Sequence, residues 1–116
     1  MNTITPKRLQ AEIYNVRFWV DTTESSRLKT IFGRILSEVG FNVLHFKEQH
    51  FPMEGYTAFW LLAESHLAVH TFPDDNWSYI ELSSCNKLKS AFFQEKVESM
   101  ENINITQKEV ISSFPG

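Results

Sequence analysis

The chain has 116 residues, 42% hydrophobic and 22% charged, with a single Cys and a formal net charge of -3. That is one domain's worth of chain, enough for a real core but not for a core plus a separate cofactor domain. One cysteine excludes a disulfide framework and a multi-cysteine zinc site, and 11 Lys+Arg against 14 Asp+Glu argues against a nucleic-acid module.

Residues 1–8 lack the apolar stretch of a signal peptide. The longest apolar run, residues 58–63, is far below the roughly 20 residues of a membrane helix. The expectation is a cytoplasmic protein with no membrane contact and a reduced thiol. A first strand is predicted over residues 11–20, with Tyr14, Val16, Phe18 and Val20 on one face and Ile13 and Trp19 on the other. Asp21, Thr22, Thr23 and Glu24 have capping-box spacing. A helix follows to about Val39, its stripe made by Leu28, Ile31, Phe32, Ile35, Leu36 and Val39. Gly40 stands where a helix-closing glycine belongs.

Four strand-like runs come next, at residues 41–46, 56–63, 66–72 and 77–82. In the third, His66, Ala68, His70 and Phe72 face one way and Leu67, Val69 and Thr71 the other. Pro73, Asp74, Asp75 and Asn76 signal a turn. Asn86 can cap a second helix over residues 87–100, with Leu88 and Phe92 inward, joined by Ala91, Phe93 and Val97. A last strand is placed at 102–105, and the tail from Ser112 to Gly116 reads as loose. The order β-α-β-β-β-β-α-β predicts an α+β two-layer sandwich, a largely antiparallel sheet with two helices on one face. The other sheet face is left bare. Aromatic residues there would need a partner sheet, so a homodimer is expected.

The reactive groups are few. His66 and His70 are four apart, but on a strand they stand too far apart to chelate one ion easily, and no third ligand accompanies them. No metal is expected. None of the four glycines forms a G-x-G pattern, so no phosphate loop is present. Residues 62–74 concentrate hydroxyls, imidazoles and carboxylates between two apolar runs, and such a cluster costs burial energy unless its members are paired or used. Taken singly, each has a plain structural reading. Glu64 and Ser65 suit a turn, His70 a hydrogen-bonded strand position, and Cys85 a small buried hydrophobe. Phe51 and Phe72 suit a core.

Taken together, Glu64-Ser65-His66, His70-Thr71, the aromatic Phe72 before Pro73, and Cys85 resemble the core motif of the S-adenosylmethionine decarboxylase family. Residues 11–14 are similar to the family's first strand, and Phe51, Gly55 and Thr57 to the segment before its cleavage site. The resemblance runs from about residue 8 to 100. It implies that Ser65 attacks the Glu64 carbonyl, with Thr57 as donor to the developing oxyanion. His70 then removes the Ser65 α-proton; imidazoles titrate near neutrality and suit such work. The chain breaks between Glu64 and Ser65, and the Ser65 remnant becomes a pyruvoyl group. The two fragments stay associated, and neither a metal nor pyridoxal phosphate is needed. The new carbonyl takes up a substrate α-amine and draws electrons as carbon dioxide leaves. Cys85 returns a proton to the carbon.

The same resemblance implies a small amino-acid substrate, S-adenosylmethionine, on the way to spermidine. Phe51 and Phe72 would stack on adenine and Asp74 would hold the ribose. Departures are visible. Asp74 stands where a Glu is usual, Thr57 where many relatives have Ser, and Ser83-Ser84-Cys85-Asn86 where Phe-Thr-Cys-Gly is more usual. Asn86 tolerates the left-handed backbone a Gly would adopt. Two alternatives therefore stand beside the first reading. One is a pyruvoyl-dependent arginine or ornithine decarboxylase, and the other an uncleaved, inactive regulatory homologue.

Overall fold

The computed structural model describes residues 12–101 and 103–113. Strand β1, Ile13–Val20, alternates as its sequence requires, with Val16, Phe18 and Val20 buried and Trp19 on the opposite face. Ala11, the expected first residue of this strand, lies outside the described residues. Helix α1, Ser25–Val39, buries Leu28, Phe32, Ile35 and Leu36. Gly40 closes it at φ 94, and the N–H of Phe41 reaches back to Leu36 at 3.0 Å. That left-handed position is one where glycine avoids the Cβ clash.

The capping box does not form. Glu24 precedes the helix without a side-chain cap, and Asp21 is used elsewhere. Its carboxylate accepts the backbone N–H of Asn104 at 3.1 Å and the Asn104 amide at 2.8 Å. A long-range pair that ties down the connection to the last strand has displaced the local motif.

The second strand, β2, runs Val43–His50 rather than 41–46. Phe41 is drawn out of it because its ring is buried in the turn after Gly40. Strands β3 (Tyr56–Leu62), β4 (Ser65–Phe72) and β5 (Trp77–Ser84) follow, then helix α2 (Lys87–Glu98) and strand β6 (Ile105–Ser113). All pair antiparallel in one sheet of order β2-β3-β4-β5-β1-β6. The expected α+β architecture is therefore the observed one.

Two details at the C-terminal side differ from expectation. In α2 the buried residues are Ser90, Phe93 and Val97, while Leu88 and Phe92 are 63% and 45% exposed. The Phe93 ring settles the rotation, packing 6.3 Å from Phe18 and 6.5 Å from Phe32. The last strand starts at Ile105 and continues through Ser112 and Ser113, which were expected to be loose; they pair with Tyr14 and Ile13. The free side of β1 offers a ladder that a segment carrying the strand formers Ile105, Thr106, Val110 and Ile111 can join. Residues 102 and 114–116 lie outside the described residues. No helix among the described residues is long and apolar enough to cross a membrane.

Candidate active site

The residues of interest gather at two ends of β4. The first group surrounds the β3–β4 hairpin. Leu62 pairs with Ser65, leaving Ala63 and Glu64 as a two-residue loop. Glu64 has φ 60. That left-handed conformation costs a residue other than glycine about 1–2 kcal/mol, and it places local strain next to the Glu64–Ser65 peptide. Ser65 is buried on the helix side of the sheet, 8% exposed. Its hydroxyl donates to Ser84 Oγ at 2.7 Å, and the backbone N–H of Asn86 donates to the same oxygen at 3.0 Å. Cys85 is exposed, with Sγ 3.7 Å from the Glu64 carbonyl oxygen and 3.9 Å from its Oε2. The thiol, rather than Thr57 of the same chain, is thus the donor beside this carbonyl.

Asn86 is extended at φ -95 and accepts the Lys89 N–H at 2.9 Å. It caps α2, and its expected tolerance of left-handed backbone is not called upon.

The second group lies at the other end of β4, on the face away from the helices. Thr57 and His70 are direct cross-strand partners, with Thr57 Oγ1 3.2 Å from His70 Nδ1. Tyr79 is the partner of His70 on the next strand. Trp19 lies 5.2 Å from the Tyr79 ring and 5.5 Å from that of Phe72. Phe72 is 44% exposed and Asp74 sits exposed in the turn Pro73–Asp75. Phe51, half exposed, opens the Phe51–Gly55 connection at this same end. A Cβ on Gly55 would stand 3.3 Å from Phe51 Cβ, so glycine lets the Phe51 side chain lie against the backbone. Met53 and Glu54 in this turn are both left-handed, at φ 64 and 70.

Ser65 and His70 are five residues apart on one strand, hence about 16 Å apart along it. The odd spacing also puts their side chains on opposite faces. One chain therefore brings together Glu64, Ser65 and Cys85, and separately Thr57 and His70 with Phe72, Asp74 and Phe51 near the same end. It does not bring the two groups into contact. Phe59, Leu61 and Phe72 leave the outer face partly apolar, and Phe59 stacks on His66 at 5.5 Å.

The electrostatics distinguish the outer face from the edge. Burial, and then the hydrogen bond its hydroxyl gives Glu81 at 2.7 Å, push the Tyr79 phenol up to about 12. Burial also raises Tyr56, helped by its 2.8 Å bond to Glu48. The Glu48 carboxyl is held below its ordinary range by the Lys29 ammonium at 2.9 Å and then by Tyr56. Sequence reasoning missed Ser84, Trp19 and Tyr79 as neighbours of the site. Strand register counted outward from the turn at 73–76 would have paired Ser84 with Ser65 and Tyr79 with His70.

A family model described as S-adenosylmethionine decarboxylase matches residues 7–111. The chain is 28% identical over 79 residues to an S-adenosylmethionine decarboxylase proenzyme of Syntrophomonas wolfei, spanning 68% of this chain and 62% of that one. It is 39% identical over 46 residues to S-adenosylmethionine decarboxylase proenzyme 2 of Bacillus cereus, 40% of this chain and 37% of the relative. The matched stretches thus span less than two thirds of either relative. Among solved structures, the fold is similar to that of the adenosylmethionine decarboxylase from Aquifex aeolicus, with a TM-score of 0.67, 14% identity, and coverage of 87% of this chain and 88% of the other.

Proposed function

The chain belongs to the S-adenosylmethionine decarboxylase family, and from that premise we propose that it is a self-processing, pyruvoyl-dependent decarboxylase that acts on S-adenosylmethionine and feeds spermidine synthesis. The observation that carries the reading is the Glu64–Ser65 peptide. It follows a left-handed Glu64, its serine hydroxyl is buried and oriented, and a thiol stands 3.7 Å from its carbonyl oxygen. Ser65 Oγ attacks the Glu64 carbonyl carbon, and Cys85 can donate to the oxygen as charge develops there. The residues fit the prosthetic group, because Ser65 itself supplies the atoms. Once formed, the pyruvoyl carbonyl provides the electron sink for loss of carbon dioxide.

His70 is proposed as the base that takes the Ser65 α-hydrogen, with Thr57 holding its Nδ1. Within one chain it stands about 16 Å away along the strand, beyond reach of that hydrogen. A two-fold dimer packed through the outer sheet faces, strands antiparallel, would set the Thr57–His70 end of one chain against the Ser65 end of its partner. The exposed Phe59, Leu61 and Phe72 would be covered in the same contact. Phe51 and Phe72 are proposed to stack on adenine and Asp74 to hold the ribose.

Intact-protein mass spectrometry tests the reading. Two fragments split between Glu64 and Ser65, with a pyruvoyl terminus on the second, are expected, and Ser65→Ala should give one uncut chain. Cys85→Ala should slow cleavage, where the thiol donates to the Glu64 carbonyl oxygen, and also turnover, where it returns a proton to the carbon. Release of labelled carbon dioxide from S-adenosylmethionine, arginine and ornithine then assigns the substrate. A wild-type chain that stays whole under assay conditions would refute self-processing and leave a regulatory homologue.

A further inference from the structure

We propose that Ser84 is a catalytic residue for self-cleavage: its oxygen holds the Ser65 hydroxyl hydrogen and relays the proton as Ser65 attacks. The inference rests on the reading of Ser65 as the nucleophile. Ser84 is 2% exposed and is the direct cross-strand partner of Ser65. Two other buried serines make purely structural bonds. Ser78 donates to the Thr22 carbonyl at 2.6 Å and Ser90 to that of Asn86 at 2.8 Å. Ser84 is used as an acceptor instead. The Asn86 N–H can only donate, which commits one lone pair of Ser84 Oγ, and the Ser65 hydroxyl donates to the same atom at 2.7 Å.

This arrangement has a chemical consequence. With its hydrogen held toward Ser84, the Ser65 oxygen has its lone pairs free for the Glu64 carbonyl. Burial keeps water from competing for that hydrogen. In the step, a bond forms between Ser65 Oγ and the Glu64 carbonyl carbon, and the bond from that carbon to the Ser65 nitrogen breaks. As Ser84 Oγ accepts the proton that leaves Ser65 Oγ, it releases its own hydroxyl hydrogen toward the freed nitrogen, so the nitrogen gains one proton and Ser84 is again a neutral hydroxyl. An ordinary cross-strand hydroxyl pair would explain the contact but gives the oxygen no part in the rate.

The test uses the full chain, made in a cell-free system so that cleavage is followed from the start. Wild type, Ser84→Ala, Ser84→Thr and Ser84→Val are compared, with folding checked by circular dichroism. Cleavage is timed by gel and mass, and hydroxylamine pulses score the ester that forms before the chain breaks. Ser84→Ala should cleave at least about 10-fold more slowly, as expected when a proton acceptor is lost, and its hydroxylamine-sensitive fraction should fall. Ser84→Thr should recover most of the rate and Ser84→Val should not. Thr and Val share a shape, so their comparison carries the result if the alanine variant is unstable. Wild-type speed in Ser84→Ala, equal rates in the Thr and Val variants, or an accumulating ester in Ser84→Ala overturns the proposal while leaving Ser65 in place. A wild-type chain that neither cleaves nor yields to hydroxylamine refutes the Ser65 reading itself, and Ser84's role with it.

Discussion

If the base that breaks the chain comes from a second copy, two dead variants should rescue each other. Ser65→Ala removes the nucleophile and His70→Ala the base. Each alone should fail to form the cleaved product. Proton abstraction requires the base within about 3 Å of the hydrogen it takes, whereas β4 separates Ser65 from His70 by about 16 Å and turns their side chains to opposite faces. Co-expressed in equal amounts and assembling at random, half of the dimers are mixed, and each mixed dimer holds one site with both native groups. About a quarter of all sites should therefore be competent in a two-fold assembly. Tags of different mass make the assay direct. About half of the His70→Ala chains should be cleaved, none of the Ser65→Ala chains should be, and decarboxylation should recover to about a quarter of the wild-type value. Cleavage of His70→Ala alone at wild-type speed would remove His70 from the chemistry. A mixture no more cleaved than its parts would refute the shared site.

Phe93→Ala opens a cavity beside Phe18 and Phe32 in the fully buried core. It should cost about 3–5 kcal/mol in urea unfolding, and a loss under 1 kcal/mol would mean that α2 packs differently. The raised phenol of Tyr79 makes stability fall at high pH. The folded chain holds this proton longer than the unfolded one, so the contribution is whole below about pH 10 and is lost as pH rises toward 12. Discounted for partial exposure it amounts to about 1 kcal/mol. Guanidinium midpoints measured from pH 9 to 12 should fall less steeply in Tyr79→Phe, and parallel curves would count against the shift. Met53 is 90% exposed and left-handed. Met53→Gly should therefore stabilise the fold by up to about 1 kcal/mol; a lowered melting temperature would show that the methionine side chain has a contact of its own.

Much of this fold could be read from the sequence because its local signals agree with its packing. The 28-32-35-36 stripe, the Gly40 stop and the alternation in β1 and β4 each have one physical solution. The face of α2 was ambiguous because Ala91, Phe92 and Phe93 are consecutive, and a small polar Ser90 at an inward position hid the true stripe. The last strand was expected at 102–105 and runs Ile105–Ser113 instead, because its extent is set by its pairing partner, β1, some ninety residues earlier in the chain. The motif residues were legible, but their spatial division was not drawn from them. Yet the odd interval between 65 and 70 already dictates opposite faces on a strand. Ser84 carried no local signal, since its importance comes wholly from register.

The topology also bears on what cleavage would leave behind. A cut after Glu64 falls in the turn between β3 and β4, near the middle of the sheet. The first fragment would keep β1, α1, β2 and β3, and the second β4, β5, α2 and β6. These do not separate into two halves. Strand β1 of the first fragment lies between β5 and β6 of the second, while β3 remains paired to β4. The Phe18, Phe32 and Phe93 rings pack together across the same division. Parting the fragments would require three strand ladders and the aromatic core to be broken together. One lost peptide bond at a two-residue turn removes almost none of that, which is why the proposed enzyme can cut its own chain and keep its fold.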